Sequence, residues 1–453
     1  MKYNKNCRKV KGYIQTEAAY SEFISSIDKS VDGVRLKSCS AESLEDYMSL
    51  LHSEGKCSKK LCSTTIKRLK RNDFVELKTY KIVYEALGLT YHSSKFIRRE
   101  RQLEEINSIP PPESIIPVDS IFYIPNELLE QSCLSALTDF SQYNKQGSLI
   151  RLRSPKFTGK TTFLRRISYL VSEYKEKILQ VFLSFNKLEN SKLKNLDKLY
   201  HWLGYTIASK LGLENRIDDY WDDEGIGSNE SLTSYLVEYI LASIEANFVL
   251  IIDDVDAVLS HPEVAEDFFG LLRSWHEIED IFQQFRLIFS YSTYSGIKIN
   301  SYCSPFNIGV GKEMEMLSVD QIYNFAFSCN IDFSEQEASS LFSITGGNPY
   351  LVRLAFYEAF KNEVRINEVL KNCTAENGIY IGYLRQLKHD ISNLLISSAI
   401  LKSLKRLTAT DSPIELDSDV YYSLSRLGLI KIDGNLARLS GDLYRDYFGR
   451  VLI

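Results

Sequence analysis

A chain of 453 residues, 44% hydrophobic and 25% charged, has the balance of a folded protein of roughly two to four domains, which excludes wholesale disorder. It contains no apolar run of the roughly 18 residues that a membrane helix needs, and its start, "MKYNKNCRKVKGY", lacks an apolar signal core, so a soluble cytoplasmic protein with no membrane partner is expected. The net charge of −5 hides an asymmetry: residues 1–105 hold 21 Lys and Arg against 14 acids, and the remainder 33 against 45, so a basic front precedes an acidic body.

Residues 1–106 predict an N-terminal all-α domain built on a helix-turn-helix. In "KKLCSTTIKRLKRNDFVELKTYKIVYEALGL" (59–89), Ile66 and Leu69 share a helical face with Cys62, while Thr64, Arg68 and Arg71 lie opposite, flanked by Lys67. Tyr80, Val83, Tyr84 and Leu87 line the next helix, which Gly88 stops. Six basic residues and no acid fall between Lys59 and Arg71. Lys67, Arg68 and Arg71 are therefore candidate contacts to duplex DNA, and the same face also suits docking of a protein partner. "NSIPPPESIIPVDS" (107–120) then reads as a linker, stiffened by three prolines that exclude helix.

Strand and helix alternate after the linker. "GSLIRLRS" (147–154) predicts a strand, "TTFLRRISYLVSEY" (161–174) a helix with Leu164, Ile167 and Val171 on one face, and "ILQVFLSF" (178–185), "FVLIIDD" (248–254) and "FRLIFSYST" (285–293) buried strands. Unbroken apolar strands between helices suit a doubly wound parallel sheet, here spanning 121–310. Between the first strand and helix lies "SPKFTGKTTFL", a phosphate-binding loop whose first glycine is replaced by Ser154. Gly159 allows close backbone approach, Lys160 supplies a point charge for the phosphates of ATP or ADP, and Thr161 supplies a hydroxyl for Mg²⁺, with Thr162 beside it on the first helical turn. Ser154 is acceptable there provided its φ is negative.

"FVLIIDDVD" fits the second half of such a site. Asp253 would support the metal, and Asp254 would orient the attacking water; the alternative is an ordinary acidic strand end. Ser292 or Thr293, at the end of the next strand, would sense the terminal phosphate or simply cap the strand. Helices expected at 318–330, 334–345, 348–362 and 365–374 make a helical lid over 311–375. In "TGGNPYLVRLA" (345–355), Gly346-Gly347 make a tight turn and Pro349 suits the first turn of a helix. Arg353, further along, either points back at the phosphates or lies on the surface. Residues 376–453 close with a helix and the hairpin signal Asp433-Gly434, the signature of a winged helix.

Eight cysteines form no CxxC pair and six histidines show no metal spacing, so neither zinc nor thiol redox chemistry is indicated.

From Phe122 to Phe448 the chain resembles bacterial AAA-like ATPases of cyanobacterial type, relatives of the STAND and Orc-type ATPases. The resemblance rests on "GSLIRLRSPKFTGKTTFL", "IIDDVDAVL", "DFFGLLRSWHE" (267–277), "SPFNIG" (304–309), "TGGNPYLVRLA" and "LYRDYF" (443–448). It implies a P-loop NTPase core that binds ATP or ADP with Mg²⁺ and works as a switch in signalling, regulation or defence; Asp254, one methylene shorter than glutamate, points to slow hydrolysis. Helix-turn-helix domains in such a setting are often adaptors, so DNA and a partner protein both remain open. A separate effector protein and a nucleotide-dependent homo-oligomer are further expected partners. A DNA-associated ATPase of initiator or transposition type, and a non-hydrolysing adaptor, are the competing functions. The family commonly lacks the first loop glycine, but usually has Asp-Glu where this chain has Asp253-Asp254, and an arginine near Pro125-Asn126. Arg273 stands where an arginine acting in trans would fit, or is a surface arginine.

Overall fold

A computed structural model describes residues 10–15, 96–101 and 109–452, apart from 119, 121, 142, 175–176, 223, 279–280, 282, 293–307, 330, 332 and 394–396. The chain divides into two compact units, Met1–Asn107 and Ser108–Ile453. In the first unit, strands β1 (Val10–Gln15) and β2 (Phe96–Arg101) pair antiparallel, with Val10 opposite Arg101 and Gln15 opposite Phe96. This corrects the expectation of an all-α domain: the two ends of the unit are joined by a strand ladder between segments far apart in sequence, which local periodicity does not reveal. The expected helix-turn-helix, with Lys67, Arg68 and Arg71, lies outside the described residues.

The second unit opens with the proline stretch. It is not a free tether: Ile109, Pro112 and Ile116 are buried against the unit. Helix α1 (Glu127–Thr138) follows, capped by the Asn126 side chain, which accepts from the Leu129 amide. Strand β3 (Leu149–Arg153) leads into helix α2 (Lys160–Ser172), and β4 (Ile178–Ser184) into helix α3 (Leu196–Leu211), which Gly212 ends in the left-handed conformation. A helical segment (Ser228–Ser234) continues as a π-helical stretch (Tyr235–Leu241) before β5 (Asn247–Asp253). Helix α4 (Pro262–Glu277), β6 (Phe285–Tyr291) and β7 (Val310–Glu313) complete the layered core.

The five strands form one parallel sheet in the order β4-β5-β6-β3-β7. Helices cover both faces, which is why the strands read as continuous apolar runs rather than alternating ones. Along β5, Val249 and Ile251 pack with Leu164, Ile167 and Val171 of α2, whereas Leu250 and Ile252 pack on the other face with Leu203 of α3 and Phe268, Leu272 and Trp275 of α4. The consequence for function is positional: β6 lies between the strand that enters the phosphate loop and the strand that ends at Asp253.

Helices α5 (Val319–Ser328), α6 (Glu335–Thr345) and α7 (Pro349–Lys361) lie where helices are expected at 318–330, 334–345 and 348–362. Ser334 and Glu337 form a reciprocal capping box on α6, and Asn348 caps α7 with Pro349 in its first turn. The turn between them needs its glycines. Gly346 and Gly347 have φ of 65° and 80°, and a side chain on either would meet a backbone carbonyl, that of Ser440 or of Leu317, at 2.4 and 2.2 Å. Helices α8 (Ile381–Ser392), α9 (Ser397–Thr408) and α10 (Ser418–Arg426) precede the hairpin β8 (Ile430–Asp433) and β9 (Leu436–Leu439), with Gly434 at its turn, and α11 (Asp442–Val451) ends the unit. A bridge from Ile414 to Ala437 adds a further strand contact to the hairpin. Among the described residues, no helix is long and apolar enough to cross a membrane.

Candidate functional site

The carboxyl end of β3 and the amino end of α2 enclose the loop Ser154–Gly159. Ser154 is fully buried and is not among the residues with positive φ, so it fills the position of the missing glycine without strain. Gly159 has φ of 91° and caps α2, placing the unpaired amides of the first helical turn at the loop. The Thr158 hydroxyl donates to the Pro155 carbonyl at 2.7 Å and closes the loop on itself. At its tip, Phe157 has φ of 63°.

Lys160 is buried, and its ammonium donates to the carbonyls of Ser154 at 3.0 Å and Pro155 at 2.7 Å. Burial pulls its pKa down to about 8, against the attraction of Asp256, Asp254 and Asp253. Thr161 donates through Oγ1 to one oxygen of Asp253 at 2.6 Å. The other Asp253 oxygen accepts from Ser290 Oγ at 2.6 Å, and Ser290 Oγ in turn accepts from the Asp254 amide at 3.1 Å. Both carboxylate oxygens of this buried aspartate are therefore held by hydroxyls. Thr162 is half-buried beside Thr161.

Asp254 adopts φ of 58°. Aspartate and asparagine visit this left-handed region more readily than longer side chains, so the departure from Asp-Glu has a local backbone reason. Its carboxyl is pushed up to about 6, first by burial and then by the neighbouring Asp253 charge, with Lys160 opposing. Asp256 accepts from the Ser292 amide at 2.7 Å and ties the end of β6 to the helical turn after β5. Ser292 is thus brought to the site, whereas Thr293 lies outside the described residues. Ser290 is the functional residue that sequence reasoning missed: strand-end hydroxyls drew attention, and only the strand order shows that the hydroxyl two residues earlier faces Asp253.

The chemistry of this donor set fits Mg²⁺ and a polyphosphate. A hydroxyl and one carboxylate are hard oxygen donors, and Mg²⁺ characteristically takes one or two carboxylates and completes its shell with phosphate and water. Among the described residues, no group of three or more His, Cys, Asp or Glu could make an all-protein metal cage.

Elements from elsewhere in the unit clasp the loop. The Phe157 ring lies 5.1 Å from that of Tyr350 on α7 and 5.8 Å from that of Tyr383 on α8. Lys156 pairs with Asp390 of α8 at 3.0 Å. Gly428, after α10, approaches so closely that a side chain there would meet Pro155 at 3.2 Å. On the other flank, Tyr123 and the Asn126 amide both donate to Glu130, and Arg166 of α2 bonds Glu130 and the Val118 carbonyl. Phe122 packs near Phe325 of α5, and Gln321 donates to the Pro125 carbonyl. Pro125-Asn126, where the resembling family has an arginine, is thus a helix cap. Arg273 bonds Glu277 one helical turn away at 3.0 Å.

Pro349 opens α7 as expected, and of the two alternatives for Arg353 its burial overturns the surface position. Its guanidinium is buried and donates to the carbonyls of Pro110, Pro111 and Pro112 at 3.3, 3.0 and 3.1 Å. The proline run presents acceptors with no N–H of its own to compete for them, and so it captures the arginine.

A family model described as an AAA-like domain matches residues 111–450. An uncharacterized WD repeat-containing protein of Synechocystis sp. is 25% identical over 159 residues, which cover 34% of this chain and 13% of that protein, so only a small part of that relative's length is matched. Among solved structures, a Walker-type ATPase of Pyrococcus abyssi is 13% identical, with 73% of this chain and 100% of that one covered and a TM-score of 0.48. The ORC2 protein of Aeropyrum pernix, solved in ADPNP–ADP complexes, is 16% identical, with 73% and 97% covered and a TM-score of 0.45. The family match takes in the proline stretch, the parallel sheet with its phosphate loop, and the C-terminal helices and hairpin together, and the chain belongs to the AAA-like domain family.

Proposed function

We propose that the chain is an ATP- and Mg²⁺-binding molecular switch with slow hydrolysis. The observation that carries this reading is the bonded set Thr161–Asp253–Ser290 beside the buried Lys160. Lys160, Thr161 and the loop amides from Gly159 to Thr162 hold the phosphates, Thr161 and Asp253 hold Mg²⁺, and Asp254 orients the attacking water. The metal would neutralise phosphate charge when bound. In this reading, 311–375 is the helical lid and 376–453 a winged helix, and both move relative to the sheet as the nucleotide changes. The clasp on Pro155, Lys156 and Phe157 supports a coupling of that kind. The output is engagement of a partner by residues 1–106, in signalling, regulation or defence.

Calorimetric titration of the full chain with ATP and ADP, with and without Mg²⁺, followed by measurement of phosphate release, tests the reading. Mg²⁺-dependent ATP binding with turnover well below once per second is expected, since typical enzymes run from about 1 to 10³ per second. Bound nucleotide that never turns over favours a non-hydrolysing adaptor, and no binding sinks both.

A second reading, a DNA-associated ATPase, is favoured by the net charge of +7 in residues 1–105 and the acid-free basic stretch from Lys59 to Arg71. It expects duplex DNA binding that weakens steeply with salt. Changing Lys67, Arg68 and Arg71 together to Ala should flatten the log–log salt slope by about three. DNA that fails to bind at low salt removes this reading and leaves a protein partner.

A further inference from the structure

One face of the second unit carries aromatic rings that the phosphate site does not use. His201 and Tyr205 lie one helical turn apart on α3, and Tyr205 is 54% exposed. Tyr220 and Trp221 stand on the segment that follows α3, and Tyr239 on the π-helical stretch Tyr235–Leu241. Contacts gather these rings into one shelf. The Trp221 ring lies 3.9 Å from that of His201, whose Nδ1 donates to the Asp197 carbonyl at 2.8 Å. Tyr239 stacks on the buried Tyr235 at 5.4 Å, with Tyr220 6.1 Å away. Ile217 anchors the segment: it packs so closely on Gly204 of α3 that a side chain there would meet it at 2.6 Å. π-Helical turns are frequent at functional sites, and here the π-helical stretch sets Tyr235 and Tyr239 in one stack.

The rim of the shelf is acidic. Residues 214–224 hold six acids and one arginine, and Asp218, Asp219, Asp222 and Glu224 are exposed. That arginine, Arg216, shows what the surface accepts: its guanidinium lies 5.8 Å from the centre of the Tyr239 ring and bonds Glu214 at 3.0 Å. We propose that this shelf docks a cationic, arginine- or lysine-rich segment of a partner protein. Tyr and Trp are the usual anchors of protein interfaces, with a polar rim around them. Ring faces attract guanidinium and ammonium groups, and the carboxylates add charge complementarity. The same acids repel the phosphates of a nucleic acid. The shelf is independent of the nucleotide-site reading and stands or falls without it.

Fluorescence anisotropy of a labelled peptide of about eight arginines, titrated with the full chain at rising salt, tests this, and binding should weaken as salt rises. Tyr205→Ala with Trp221→Ala should weaken it about five- to thirtyfold, the loss of two cation–π contacts. Asp218→Lys with Asp219→Lys, both at exposed positions, should weaken it at least about tenfold. Glu263→Lys with Glu266→Lys, the same charge change at exposed positions of α4, should weaken it less than about twofold. Equal losses in the two charge-reversed chains, or unchanged binding without the rings, would reduce the effect to overall acidity and overturn the shelf. Absence of peptide binding also overturns it. Self-association in sedimentation that Tyr205→Ala removes, without peptide binding, would assign the face to a second copy instead.

Discussion

Lys160→Met shrinks the stabilisation that the chain gains from ATP. Each charge-assisted bond from an ammonium to phosphate contributes about 1.5–3 kcal/mol, so its loss weakens ATP about ten- to 150-fold. The fold should survive, because the wild-type ammonium is buried at a cost: its pKa is held down to about 8 from 10.5. The folded chain therefore holds this proton less tightly than the unfolded one, and stability rises as pH climbs from about 8 to 10.5. The methionine variant lacks that rise. Phosphates favour the charged ammonium, so ATP affinity in the wild type falls as pH passes about 8. Thermal melts across this range, with and without Mg²⁺-ATP, read both effects, and a variant whose ATP-induced shift equals that of the wild type refutes the assignment of the loop.

Asp254→Asn separates binding from chemistry. Asparagine tolerates φ of 58° as aspartate does, so the backbone stays in place. Removing a general base costs about 10²- to 10⁴-fold in rate. ATP affinity should hold or improve, since one negative charge facing the phosphates is gone. In the wild type, turnover should climb as pH rises through about 6, where the carboxyl ionises, and then level off. The sign for stability is opposite: a carboxyl raised from 3.8 to about 6 stabilises the fold most below 3.8, and that contribution is lost as pH rises through about 6. The neutral asparagine escapes this loss, so the variant should be the more stable protein at neutral pH. Equal turnover in wild type and variant across pH would assign water activation elsewhere.

What could be read from the sequence was what lies close together along the chain. Strand, loop and helix from Leu149 to Ser172 were legible because the Gly159-Lys160-Thr161 turn and the Leu164, Ile167 and Val171 stripe are local patterns. Asp253 was legible as the end of an apolar run. Ser290 was not, because its role depends on β6 lying between β3 and β5, an order that no local signal encodes. The partner of Arg353 was invisible for the same reason, being separated from it by some 240 residues. The left-handed backbone at Asp254 turns an apparent departure from the family into a residue matched to its own conformation.

Phe157 makes the phosphate cradle conditional on its surroundings. An aromatic residue at φ of 63° sits about 1–3 kcal/mol above a relaxed backbone, which the Thr158–Pro155 bond across it helps to hold. Further contacts come from the rings of Tyr350 and Tyr383, which belong to other elements. The tip of the loop is therefore supported from outside the loop, by α7 and α8. A variant that removes both rings, Tyr350→Ala with Tyr383→Ala, should therefore lose order at the loop tip before it loses the sheet.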